Sequence, residues 1–282
     1  MQHTTKTYDV RSGRNQYHLI PYIGNKSGFA HIFDELVPDD AGSGDIIDVF
    51  GGSGAFAIYC SFRFGSRQVT YNDNNPVMVN FMECVRDGPS DLMERYEEHR
   101  ARSDNKYFLE VRKSDISGGL EGAGRFLYLA KNAFSGKIRF NGSGRFNAPM
   151  RKGAGCPKLD KERLLDISHS IRHMKITNRP FESWGRTRNA FMYLDPPYMN
   201  NTNAHYNMVP STESFAKFVH AITPHNRVMI SEQNEPADIG IPECYAVYRV
   251  RLRRSLQYVT QSDSREIVAI NYEPDGHRAA AG

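Results

Sequence analysis

A β-forming run that breaks at glycines and restarts as a helix limits this chain more than any other feature. Ile46-Ile47-Asp48-Val49-Phe50 is apolar and β-branched enough for a buried strand, Gly51-Gly52-Ser53-Gly54 follows at once, and Ala55-Phe56-Ala57-Ile58 opens an apolar helix. Strand, glycine turn and helix together make the first unit of an open α/β sheet, with glycines where side chains would collide with a phosphate or nucleoside. The spacing is not GxGxxG, so the turn alone does not define the ligand. Gln68-Val69-Thr70-Tyr71-Asn72 reads as the second strand and ends at Asp73-Asn74. An acid at that tip, about twenty residues past the glycines, suits the two ribose hydroxyls of an adenosine-containing cofactor. It equally suits the N-cap of a helix that starts at Pro76.

A second strand end carries chemistry of its own. Ala190-Phe191-Met192-Tyr193-Leu194 reads as a buried strand and stops at Asp195-Pro196-Pro197-Tyr198. Each proline fixes its own φ, and Pro197 pushes Pro196 out of the helical region, so the backbone leaves the strand in a stiff extended turn. Neither proline has an N–H. The Asp195 carboxylate and the Pro196 carbonyl are therefore adjacent acceptors, suited to an exocyclic NH2 of a nucleobase that stacks on Tyr198. Without context the same residues also describe a plain proline-rich turn.

The chain has 282 residues, 39% of them hydrophobic, enough for a full core and for one catalytic domain with an added module. No run approaches the length of a membrane-spanning helix, and the polar start lacks the apolar core of a secretory signal, so the expected location is cytoplasmic. Cys60, Cys84, Cys156 and Cys244 are too scattered for a CxxC metal pair or a disulfide framework, and no metal is expected. The net charge of +4 only hints at a polyanionic partner; the placement of the arginines says more.

Residues 1–17 read as loose. Pro21-Tyr22-Ile23-Gly24-Asn25-Lys26 precedes a helical pattern of Phe29, Ile32, Phe33 and Leu36; Tyr22 could pack on a ligand, and Lys26 could serve a site or sit solvated in a surface loop. Helices are predicted at 77–85 and 91–102, and irregular chain from 103 to 125. Between Lys137 and Lys152, the basic residues Lys137, Arg139, Arg145, Arg151 and Lys152 alternate with Phe140, Phe146 and glycines. That pattern fits a hairpin that clamps phosphates and presses a ring against bases, or an exposed basic loop. Further on, a helix is predicted around Leu164, Ile167 and Ile171, and strands at 175–178 and 228–230 flank a helix at 214–222. The polar stretch 199–207 is a candidate lid. Tyr248 to Arg254 alternates strictly, which puts Arg249, Arg251 and Arg253 on one strand face as a basic rail, with 267–270 as hairpin partner.

Tyr22-Ile-Gly-Asn-Lys26, Phe50-Gly-Gly-Ser-Gly54, Asp73, Arg139-Phe-Asn-Gly-Ser-Gly-Arg-Phe-Asn-Ala-Pro149 and Asp195-Pro-Pro-Tyr198, in that order, resemble the DNA adenine methyltransferase (Dam) family over roughly residues 19–272. The resemblance implies a class I, Rossmann-like methyltransferase sheet, with domains at 1–75 and 158–282 forming the catalytic part and 76–157 an inserted target-recognition module. It implies S-adenosyl-L-methionine as methyl donor and the N6 amine of a flipped adenine in double-stranded DNA as acceptor, in a cytoplasmic, nucleoid-associated enzyme. By position, Tyr22, Lys26, Asp73 and Asp195 would contact the cofactor, with Phe50, Gly51, Ser53, Gly54 and Asn74 lining the same cleft. Asp195, Pro196, Pro197 and Tyr198 would hold the base. Candidate DNA contacts are Lys137, Arg139, Phe140, Asn141, Ser143, Arg145 and Asn147 in the hairpin, and Arg251, Arg253 and Arg254 on the rail. Gly142, Ser143 and Arg145 stand where members that read GATC usually carry leucine, arginine and an acid, so GATC recognition is not implied. Tyr22 replaces a common tryptophan. Cytosine-N4 methyl transfer, a protein or RNA substrate, and a non-catalytic DNA-binding protein on the same scaffold are the alternatives that these residues leave.

Overall fold

The computed structural model describes residues 7–10, 17–21, 26–136, 138–141, 144–153, 155–197, 209–252 and 264–275. Among these residues eight strands form one sheet: β1 (Thr7–Val10), β2 (Ile46–Asp48), β3 (Val69–Asn72), β4 (Lys175–Thr177), β5 (Phe191–Leu194), β6 (Arg227–Glu232), β7 (Ala246–Leu252) and β8 (Ser264–Ile270). Their spatial order is β1-β7-β8-β6-β5-β2-β3-β4. The run from β4 to β6 is parallel, and β8 lies antiparallel between β6 and β7. The chain steps outward from β2 through β3 to β4, then returns to the middle at β5 and builds the other way. Such a reversal lies at the carboxyl ends of β2 and β5, the place where ligands of open α/β sheets bind.

Alternation along the central strands supplies both faces of the sheet. Phe191 and Tyr193 of β5 pack with Phe33 of α1 (Ala30–Leu36) and Phe56 and Tyr59 of α2 (Ala55–Phe64). Met192 and Leu194 point the other way, into a core built with Phe215, Phe218 and Ile222.

Between β3 and β4 come α3 (Pro76–Asp87), α4 (Pro89–Ala101), α5 (Asn105–Lys113), α6 (Gly119–Asn132), the basic hairpin and α7 (Lys161–Ser170). Between β5 and β6 lies α8 (Thr212–Ile222). Two stretches differ from the sequence reading. Thr7–Val10 is a strand, paired parallel with β7, because Tyr8 is buried against the Tyr248 ring 6.0 Å away. Residues 105–132 hold two helices. Gly122 and Gly124 dilute the helical pattern of α6, yet they are contact points: a Cβ on Gly124 would meet Arg95 Cγ at 2.3 Å, and one on Gly122 the Ser117 backbone at 2.4 Å. Asp104 caps α5 by accepting the Tyr107 N–H at 2.7 Å, a start signal the sequence did carry.

Candidate active site

The glycine turn after β2 is held from three sides. Gly51 N–H donates to Asn72 O at 2.7 Å, Gly54 N–H to Gly51 O at 2.7 Å, and the Tyr71 hydroxyl to Gly52 O at 2.8 Å. A Cβ on Gly51 would sit 2.2 Å from the Tyr71 ring, so only glycine fits there. Gly54 starts α2 at φ +79°, which again favours glycine. Ser53 is buried, and the Phe50 ring packs 5.5 Å from Phe181, on the α8 side.

Asp73 reaches into this turn. Its Oδ2 accepts the Gly52 N–H and its Oδ1 the Asn75 N–H, both at 2.7 Å. The cap of α3 is Asn75, which accepts the Val77 N–H at 3.0 Å, so Asp73 is not the helix cap. Burial raises the Asp73 carboxyl above its usual range, and the two N–H donors oppose that rise. A carboxylate oxygen has more than one acceptor direction, so both oxygens retain capacity for ribose hydroxyls. Asn74, beside it, is exposed.

The register of β5 on β2, Asp48 opposite Tyr193, puts the glycine turn and Asp195 at neighbouring strand ends. Tyr193 is locked by stacking on Phe56 at 4.2 Å and by a 2.9 Å bond between its hydroxyl and Ser231. Beyond it, Asp195 Oδ1 accepts from Lys26 Nζ at 2.7 Å, across 169 residues of sequence. The ammonium is 3% exposed and also lies 3.7 Å from the buried Glu266 carboxylate. Among the described residues nothing donates to Asp195 Oδ2. Burial raises Asp195 to about 6; Lys26 pulls it down, and Glu266 pushes it up. Pro196 is buried and Pro197 exposed. Lys26 is thus a buried ion-pair partner rather than a solvated loop lysine. Tyr22, Tyr198 and the candidate lid 199–207 lie outside the described residues.

Three acids here were not read from the sequence. Asp48 ends β2, is buried and held well above its usual range by burial, and its Oδ1 has no partner. An acid inside an apolar strand run was the available signal. Glu232 ends β6 and Glu266 sits in β8, just outside the strands read at 228–230 and 267–270.

In the hairpin, Phe140 and Phe146 form a bridge, and Asn141 accepts the Arg145 N–H at 2.9 Å to brace the tip. Phe140 is a correction. Its ring is buried, stacked 6.2 Å from Phe126 and edge-on to Phe146, so neither it nor Phe146 is placed to press on bases. Arg139, Arg145 and Asn147 are exposed on the outside. The Arg145 guanidinium is held by Asp115 at 3.0 Å. On β7, Tyr248 and Val250 face the core while Arg251 is exposed; Arg249 is spent on Glu235 at 2.6 Å. Lys137, Ser143, Arg253 and Arg254 lie outside the described residues. Among the described residues no group of three or more His, Cys, Asp or Glu could hold a metal ion, and no helix is long and apolar enough to cross a membrane.

Residues 22–237, which include both strand ends and the hairpin, match the family described as D12 class N6 adenine-specific DNA methyltransferase. The chain belongs to that family. This D12-class methyltransferase is 26% identical to the type II methyltransferase M1.LlaDCHI of Lactococcus lactis subsp. cremoris over 221 residues, 73% of this chain and 72% of the relative. It is 24% identical to a DNA adenine methylase of Serratia marcescens over 216 residues, 70% of this chain and 80% of the relative. Among solved structures it aligns with the rRNA methyltransferase aviRa of Streptomyces viridochromogenes, at 15% identity and a TM-score of 0.39, over 93% of this chain and 88% of that one. The methyltransferase acts on DNA, and its acceptor is the N6 amine of adenine.

Proposed function

We propose that the methyl donor is S-adenosyl-L-methionine and that the adenine is flipped out of duplex DNA to the carboxyl ends of β2 and β5. The single observation that carries this reading is Asp195, with one oxygen pinned by Lys26 and the other without a donor among the described residues.

The donor set fits an adenosine cofactor. Gly51 and Gly54 let the turn close tightly against Tyr71 and Met82, Asp73 offers acceptors to the ribose, and the partnerless buried oxygen of Asp48 suits a cationic amino group. When bound, the cofactor supplies an electrophilic methyl on a sulfonium. Tyr22 is a proposed stacking partner.

Adenine N6 is a poor nucleophile because its lone pair is delocalised into the ring. Asp195 Oδ2 and the Pro196 carbonyl accept its two N–H bonds, which favours a pyramidal nitrogen with the lone pair directed at the methyl. Lys26 fixes the carboxylate and favours its ionised form. As the N6–methyl bond forms, the sulfur–methyl bond would break with the sulfur leaving as a neutral thioether; N6 becomes cationic, and Asp195, raised to about 6, is basic enough to take the surplus proton. Tyr198 stacks on the base. Unstacking the base costs a few kcal/mol, offset by these contacts and by positioning.

Residues 76–157 serve as the recognition module, with Arg139, Arg145 and Asn147 facing the duplex and Arg251 on its flank. The proposed location is cytoplasmic, at the nucleoid. The test is incubation of the purified protein with duplex DNA and labelled cofactor, then digestion and nucleoside mass spectrometry. N6-methyladenine is expected; N4-methylcytosine, or no methylated nucleoside, overturns the reading.

A further inference from the structure

Lys26 donates to Asp195 at 2.7 Å and stands 3.7 Å from Glu266, two carboxylates that belong to strands not adjacent in the sheet. Asp195 follows β5 and Glu266 lies in β8, with β6 between them. Lys26 is 3% exposed and Glu266 2%. A lysine carries its charge on a flexible four-carbon stem, and a single partner fixes its distance but not its direction. Glu266 places a negative charge 3.7 Å from the ammonium, from a strand held on both sides by antiparallel pairing.

We propose that Glu266 is a positioning residue for methyl transfer: it anchors the Lys26 ammonium from β8 so that Lys26 donates to one oxygen of Asp195 and leaves the other for the adenine amine. The inference rests on the function proposed above.

Buried ion pairs are weak sources of stability, because desolvation offsets most of their attraction, and a core needs no such trio. The trio also carries two carboxylates against one ammonium. Its net negative charge complements the positive charge that develops on N6 as the methyl arrives, in a site where water screens little.

The titratable groups around Asp195 come from every neighbouring element. Lys26 ahead of α1 and Glu266 on β8 act on it directly, and Asp195 in turn raises Tyr193 on its own strand, Asp48 on β2 and Glu232 on β6. Glu266 pushes the Asp195 carboxyl up, so removal of its charge moves the acid limb of the rate profile to lower pH.

The test is Glu266→Gln, which keeps the shape and removes the charge, assayed as purified full-length protein on duplex DNA. The expected result is a kcat about ten- to hundredfold lower, as for a misplaced catalytic group, with KM for DNA and cofactor affinity within about twofold of wild type. The acid limb moves down in pH, and Glu266→Asp, which retains the charge, recovers part of the rate. If Glu266→Gln does not fold, Glu266→Asp carries the test, since a charge drawn back by one methylene also lowers kcat without raising KM. A folded Glu266→Gln with wild-type kcat and pH profile overturns the inference while wild-type activity leaves the proposed function standing. A wild-type protein that methylates no adenine overturns both.

Discussion

Asp73 accepts the Gly52 N–H at 2.7 Å and so ties the tip of β3 to the glycine turn after β2. One side chain thereby shapes the cradle and faces the proposed ribose. Asp73→Ala removes that bond, the bond to Asn75 and the cofactor acceptor together. Hydrogen bonds to a charged group contribute about 1.5–3 kcal/mol, so cofactor affinity should fall roughly ten- to hundredfold. Calorimetric titration with S-adenosyl-L-methionine measures it, and unchanged affinity would remove Asp73 from the site.

Phe140 belongs to the core beneath the hairpin. Truncation to alanine should cost about 3–5 kcal/mol of stability, as for other buried aromatic rings. Denaturant unfolding gives the number. At a temperature where the variant is folded, single-turnover methylation should stay near the wild-type rate; a stable protein with defective base flipping would restore the wedge role instead.

Legibility followed the range of the interactions. The strand–glycine–helix unit, the acid at the tip of β3, the Asp195-Pro196-Pro197 strand end and the β7–β8 hairpin are set by neighbours in sequence, and all were readable. The pairing of β1 with β7 was not, since it joins Tyr8 to Tyr248 and leaves no local pattern in residues 7–10. The α6 helix was hidden by glycines that exist for close packing against Arg95 and Ser117. Lys26 and Asp195 could be named separately, yet their 2.7 Å bond and the presence of Glu266 depend on how three distant segments meet. The basic neighbours of Phe140 suggest an exposed loop with an outward ring, whereas the Phe140–Phe146 bridge turns both phenylalanines inward.

Arg145 is exposed and held by Asp115, also exposed, so this ion pair should contribute no more than about 1 kcal/mol to stability. Its expected role is at the DNA. If Arg145 reads a base edge, Arg145→Ala should lose about 1–3 kcal/mol of discrimination at one position of the target. Sequencing of methylated sites on random-sequence DNA reports it: one position should relax while the unfolding midpoint stays put. A uniform loss across all sequences would assign Arg145 to the phosphate backbone.

Glu232 is fully buried, and burial raises its carboxyl from 4.5 to about 7. Between those values the native protein holds a proton that the unfolded chain releases. Its contribution to stability is therefore complete below 4.5 and lost as pH rises through about 7. Glu232→Gln stays neutral throughout. Relative to wild type, the variant should gain stability from about pH 5 to about pH 8, read from thermal midpoints. A difference that does not change with pH would mean that Glu232 is ionised in the native state.

The central claim is that Asp195 grips the acceptor amine, and single-turnover transfer from labelled S-adenosyl-L-methionine to duplex DNA by Asp195→Ala tests it most directly. The variant should still bind the cofactor measurably and transfer no methyl group to adenine; methylation at the wild-type rate would show that the amine is held by something other than Asp195.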